Sequence, residues 1–199
     1  GFMALMTGMD LMSSSMAFLK TEAWFADLMI SFTNPIVGII FGAVLTAVIQ
    51  SSSASVGILQ GLCSTGVVTY GAALPIILGQ NIGTCITAIM GAIGANRNAR
   101  RTAMVHLLFN VVGAVMFAVI FYGLGLVIEW SFLQDSVQAW DISVIHTGFN
   151  LVATAVLMPM NGLLVKMAYM LVPEVKEPEK TELLDSRLLA TPAVAVQRA

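Results

Sequence analysis

Gln50-Ser51-Ser52-Ser53-Ala54-Ser55 separates two apolar arms, Ile36 to Ile49 and Val56 to Cys63. At ~1.5 Å of rise per residue each arm reaches at most about 21 Å, against a hydrocarbon core about 30 Å thick. Neither arm can cross a bilayer alone. The pair therefore predicts a re-entrant helical hairpin, opened by Asn34-Pro35 and extending over residues 35–65, with its hydroxyl-rich tip part-way into the membrane. Irregular backbone at that depth is tolerated only where it lines a cavity or is buried in protein. A cavity floored by serines suggests an ion or anion site.

The rest of the chain agrees with a membrane setting. Of its 199 residues 58% are hydrophobic and only 10% charged, and mean hydropathy is +0.89, so the expected fold class is all-α integral membrane. A net charge of -2 gives no reason to expect nucleic acid as a partner. Cys63 and Cys85 lie in apolar runs and read as packing residues. The chain opens on Gly1 with no basic segment before its apolar run, which reads as an excised start rather than a signal peptide.

Residues 1–19 form a Met-rich apolar span interrupted by Asp10 and by Ser13 to Ser15, and Lys20 to Asn34 reads as an interfacial segment with aromatic anchors. A long apolar run over 67–95 is weakened at Gly79-Gln80-Asn81-Ile82-Gly83-Thr84, where two glycines flank two carboxamides, and is expected to be a broken span. Further spans are expected over 102–128 and 144–172. The basic cluster at 96–101 is assigned to the cytoplasm, and the acidic stretch Glu129 to Asp141 to the outside. The linker and tail, 173–199, are then cytoplasmic and the hairpin opens outward.

Pairing the hairpin tip with the break in the next span would bring free backbone groups and polar side chains to one depth, as transporter sites do. Half-helix N–H groups and serine hydroxyls suit an oxyanion, while neutral oxygens suit a hard cation. For an anion such as phosphate the donors are Ser51, Ser52 and Ser53; for Na+ the oxygens are those of Gln50, Ser55, Gln80, Asn81 and Thr84. The competing explanation of a serine patch is interhelical glue.

These residues, with Gly94-Ala95-Asn96-Arg97-Asn98-Ala99-Arg100-Arg101-Thr102-Ala103, resemble the sodium/phosphate cotransporter family of the type II kind. The resemblance runs from about Phe2 to Val172 and is to the second of that family's two inverted repeats. The tail resembles the lead into a PhoU-like domain. What the resemblance implies is Na+-coupled symport of inorganic phosphate across the bacterial inner membrane, with Na+ as the coupling ion. Gln50, Ser51, Ser52 and Ser53 inherit phosphate contacts, Gln50 and Ser53 also serve sodium, and Asn81, Gly83 and Thr84 inherit an unwound-helix role. Only one such tip is present, so the site is expected to need a first repeat preceding Gly1 or a second chain.

Other cargo or direction remains open: a different small anion, phosphate export, or a channel or regulatory membrane module. A serine hydrolase lacks a base near the tip in sequence, so no enzyme is expected. His106 and Asn110, like His146 and Asn150, lie four apart on one helix face, and these faces are expected to meet. Asp10 reads as a partnered structural acid or as part of a cation pathway. Residues 1–199 reconstituted alone are expected to show no sodium-dependent phosphate entry; a liposome uptake assay checks this.

Overall fold

The computed structural model describes residues 1–173. Among these, helices account for all regular structure apart from one isolated bridge, Thr69 to Ser136. In chain order they are α1 (Phe2–Met16), α2 (Ala23–Ser31), α3 (Pro35–Ile49), α4 (Ser52–Cys63), α5 (Tyr70–Gly83), α6 (Cys85–Gly91), α7 (Arg97–Leu124), α8 (Ala139–Leu157) and α9 (Asn161–Leu171). Four helical runs are long and apolar enough to cross a bilayer: Phe2–Thr21, Tyr70–Gly91, Arg97–Leu124 and Ala139–Leu171. The last contains Pro159 in a 3-10 turn, Met158–Met160, where the missing N–H loosens the rod.

The hairpin forms as its sequence requires. Asn34 caps α3, its side-chain oxygen accepting from the Ile36 and Val37 amides at 3.0 and 3.3 Å, and Pro35 supplies the first helical position. The axis turns by 107° between α2 and α3, so α2 lies across the hairpin's entrance instead of lengthening it. Phe32 beside that corner stacks on Phe41 of α3 at 4.2 Å. With 15 and 12 residues, the arms measure about 22 and 18 Å.

The wall against which the hairpin stands is α5, buried from Ala72 through Asn81 and again at Gly83. The break expected within Gly79–Thr84 falls at Thr84, itself in right-handed helical geometry, while Gly79 and Gly83 are helical, as is Asn81, against the unwound role expected of Asn81 and Gly83. Their purpose is approach. A Cβ on Gly79 would fall on the Ile39 carbonyl, one on Gly42 of α3 on the Ile76 carbonyl, and one on Gly38 would stand 2.7 Å from the Pro75 ring. Two helices meet backbone to backbone through glycines spaced four apart on each, the small-residue packing that lets dispersion act where lipid offers no hydrophobic drive. Around this seam Phe25, Met29 and Phe32, with Leu59 and Cys63 from α4, close on Val68, Ala72, Ala73, Ile76 and Ile77. On the far side of α4, Met12 and Met16 of α1 fill the space over Gly61. Cys63 and Cys85 are both free and buried.

The two ends of the bundle are fastened differently. At the hairpin's base, the Val137 amide donates to the Val68 carbonyl at 3.0 Å and the Tyr70 amide to that of Asp135 at 3.1 Å, lacing the hairpin's exit to the acidic loop. That loop and the hairpin's mouth therefore share one end, as charge patterning suggests. At the other end α7 begins five residues before the expected boundary, at Arg97: Asn96 caps it, accepting from the Ala99 amide at 2.9 Å, so the basic cluster is helical rather than a loop. Likewise α8 begins at Ala139, ahead of the expected 144, because Asp141 accepts from the Gln138 amide at 2.8 Å. The expected PhoU-like start, 173–199, lies outside the described residues apart from Pro173.

The glycine seam generates a stability prediction. Gly42→Val and Gly79→Val should each destabilise the fold by about 1–3 kcal/mol or more through overpacking. Gly91→Ala, where a Cβ meets nothing within 4 Å, should be nearly neutral; thermal unfolding in detergent distinguishes them.

Candidate functional site

The hairpin turns in two residues. Gln50 ends α3 in the left-handed region, φ 58° and ψ 22°, and among the described residues is the single non-glycine with positive φ. Holding a side chain there costs about 1–2 kcal/mol, and such strain in a transporter-like tip is a reason to look for function. The Gln50 amide reaches back to the Thr46 carbonyl at 2.7 Å, while its side-chain Nε2 extends to the Met90 sulfur at 4.0 Å. A glycine would make the turn without the reach.

Ser51 is extended, φ -143°, and caps α4, its Oγ accepting from the Ala54 amide at 3.3 Å. The amides of Ser52 and Ser53 then stand in the first turn of α4, where no intrahelical acceptor exists and the helix dipole is positive. Beside them is a cavity of about 180 Å³ lined by Gln50, Ser51, Ser52, Thr84, Ile86 and Thr87. Hydroxyls, amides and a carboxamide with no formal charge are suited to holding an oxyanion without gripping it. Ser53 is exposed and outside this cavity.

Beneath the tip lies a second, dry cluster. Thr46 Oγ1 of α3 donates to Ser55 Oγ of α4 at 2.8 Å, and Gln80 Nε2 of α5 donates to both the Ser55 carbonyl and Oγ at 3.0 Å. All three residues are at most 1% exposed. One knot thus joins three helices. Gln80 Oε1, also buried, has no partner among the described residues, and such an orphan calls for explanation. A neutral oxygen with a free lone pair beside two hydroxyls is the chemistry of a hard-cation ligand. Asn81 Nδ2 is spent on the Ile77 carbonyl at 3.0 Å, and Thr84 Oγ1 on that of Gln80 at 2.9 Å.

The residues named from sequence therefore divide. Gln50, Ser51, Ser52 and Thr84 come together at the rim; Ser55 and Gln80 meet in the buried knot, with Asn81 buried next in chain; Ser53 joins neither. Sequence reasoning missed Thr46, Thr87 and Met90. Thr46 had a signal, being the single polar side chain between Ile36 and Ile49, and Thr87 lies one helical turn beyond Thr84. The two asparagines of the histidine faces bond within their own helices. Asn110 Nδ2 donates to the His106 carbonyl at 3.0 Å and Asn150 Nδ2 to the His146 carbonyl at 2.8 Å, each within its own helix. Asp10 is exposed on α1.

Comparison with known proteins adds identity to this geometry. The profile described as Na+/Pi-cotransporter matches residues 4–159. The chain is 35% identical over 136 residues to the uncharacterized protein YqeW of Bacillus subtilis, covering 68% of this chain and 43% of the relative. It is 40% identical over 84 residues to human sodium-dependent phosphate transport protein 2B, covering 39% and 12%. It is 26% identical over 163 residues to the putative inorganic phosphate export protein YjbB of Salmonella typhimurium, covering 80% and 30%. The chain thus spans less than half the length of these relatives, and no solved structure matches it. A profile match over most of the chain, on a helical membrane bundle with a half-length hairpin, places this chain in the Na+/Pi-cotransporter family.

Proposed function

We propose that this chain supplies one half of a sodium-coupled carrier of inorganic phosphate, and that it is not an enzyme. The observation carrying this reading is the layering at the hairpin: uncharged donors at the rim, and below them a buried knot with an unpartnered carboxamide oxygen. Phosphate is held by Gln50, Ser51 and Ser52 against the start of α4, with Thr84 and Thr87 closing the cavity. Ser53, exposed beside them, faces the other half of the unit, which is a preceding repeat or a second chain. Sodium is coordinated by Gln80 and Ser55, drawing on Gln50, Ser53, Asn81 and Thr84 as the two halves close.

The polar knot suggests how the cargo would move. Because Thr46, Ser55 and Gln80 tie both hairpin arms to α5, the hairpin and the α5–α6 rod travel as one body. Sodium, by engaging Gln80 Oε1, stiffens the same knot that positions the tip, which couples cation occupancy to phosphate affinity. The inner bacterial membrane is the proposed location, with residues 96–101 and 173–199 cytoplasmic and a PhoU-like domain following. The name carried by the Salmonella relative favours a second reading, phosphate export through the same site.

In the complete protein, Ser52→Ala should abolish sodium-dependent uptake of radiolabelled phosphate into proteoliposomes; unchanged uptake rejects the site. Gln80→Leu should raise the sodium concentration for half-maximal uptake about tenfold, the ~1.5 kcal/mol or more of a hydrogen-bonding group facing a charge. Imposing the sodium gradient in each direction separates uptake from export.

A further inference from the structure

Opposite the hairpin's mouth, the first turns of α7 carry a buried charge, that of Arg101, with no counter-charge among the described residues. Arg101 is 8% exposed. Its Nε donates to the Val172 carbonyl at 3.1 Å and its guanidinium lies 3.9 Å over the Tyr169 ring. These contacts bind α7 to the end of α9, but neither neutralises the cation, and Nη2 is buried with no partner among the described residues. No Asp or Glu occurs between residues 85 and 128 or between 157 and 173, so α6, α7 and α9 offer no carboxylate. A buried guanidinium left this way is strongly unfavourable unless an anion completes it.

Adjacent to this cation is a cavity of about 490 Å³ lined by Ile89, Ile93, Met104, Leu171, Val172 and Arg100 among others. The same Val172 whose carbonyl holds Arg101 forms part of its wall. Its aliphatic lining suits a hydrocarbon chain, and positive charge borders it at the end of a bundle of spanning helices, with Arg100 in the lining and Arg101 behind Val172. A small soluble anion would answer the charge and leave the aliphatic lining unexplained; an amphipathic anion answers both. We infer that the α6–α7–α9 corner is a binding site for an anionic phospholipid, its phosphate taken by Arg100 and offsetting at short range the charge of Arg101 behind Val172, and an acyl chain by the Ile89–Ile93–Met104–Leu171 wall. The site is independent of the hairpin and of the transport reading.

The test is lipid binding to the complete protein, measured by native mass spectrometry and by thermal unfolding in nanodiscs of phosphatidylglycerol or of phosphatidylcholine. Retention of phosphatidylglycerol over phosphatidylcholine is expected, with a higher unfolding midpoint. Arg100→Gln and Arg101→Gln should each weaken phosphatidylglycerol binding about five-fold. Arg100 is exposed, so its variant remains informative if the buried Arg101→Gln fails to fold. Equal retention of both lipids, or unaltered binding by Arg100→Gln, overturns the inference. So does displacement by millimolar inorganic phosphate, which would mean a free-anion site. Loss of the preference on deleting residues 174–199 would likewise overturn it, by assigning the counter-charge to the tail.

Discussion

The backbone contact between α3 and α5 is the constraint on which the rest of this structure depends. Two short arms cannot satisfy themselves in hydrocarbon, where every N–H and C=O must find a partner and an irregular turn must be walled by protein. The wall has to be close, and glycine makes it so: Gly38 and Gly42 on one helix, Gly79 and Gly83 on the other, remove the side chains that would hold the axes apart. With the axes that near, α3 lies along α5 for most of its length. The hairpin tip then meets the Tyr70–Gly91 rod at Thr84, about two thirds of the way along, ~21 Å from its start at ~1.5 Å per residue.

Polar groups follow from that approach. Once α3, α4 and α5 are in contact, Thr46, Ser55 and Gln80 have no water to turn to and bond to one another. Their knot does for the arms what the glycine seam does for the backbones, and it is directional where packing is not. The unpartnered Gln80 oxygen is the place where satisfaction was not completed. A stable knot and an available ligand are different requirements, and one carboxamide serves both because its nitrogen donates while its oxygen remains free.

Much of this was legible in the residues. Arm length against bilayer thickness predicted the hairpin, and Asn34-Pro35 marked the start of its first arm; the second arm, expected from Val56, begins at Ser52 because Ser51 caps it. The glycines at 79 and 83 point to the break that falls at Thr84, but their packing role was not legible, because a glycine weakens a helix and also permits close packing, and one chain does not say whether a neighbour is present. The span expected from 102 begins earlier because charge pattern reports the side of the membrane and not where hydrogen bonding begins; Asn96 moves the start of α7 to Arg97. The Asn amides of the two His–Asn pairs donate to carbonyls of their own helices, because an amide four residues on finds that carbonyl first.

By itself the sequence determined the setting, the half-length hairpin, the end of the bundle that each charged loop occupies, and the identity of the polar tip. These rest on counts, periods and charge, which are local properties of the chain. Only the tertiary structure decided which polar residues meet: that Thr46 belongs with Ser55 and Gln80, that Ser52 faces Thr84 while Ser53 does not, and that Arg101 is buried beneath Tyr169. Those outcomes depend on how closely two helices approach and how each is rotated about its axis, and both are set by packing between segments distant in the chain.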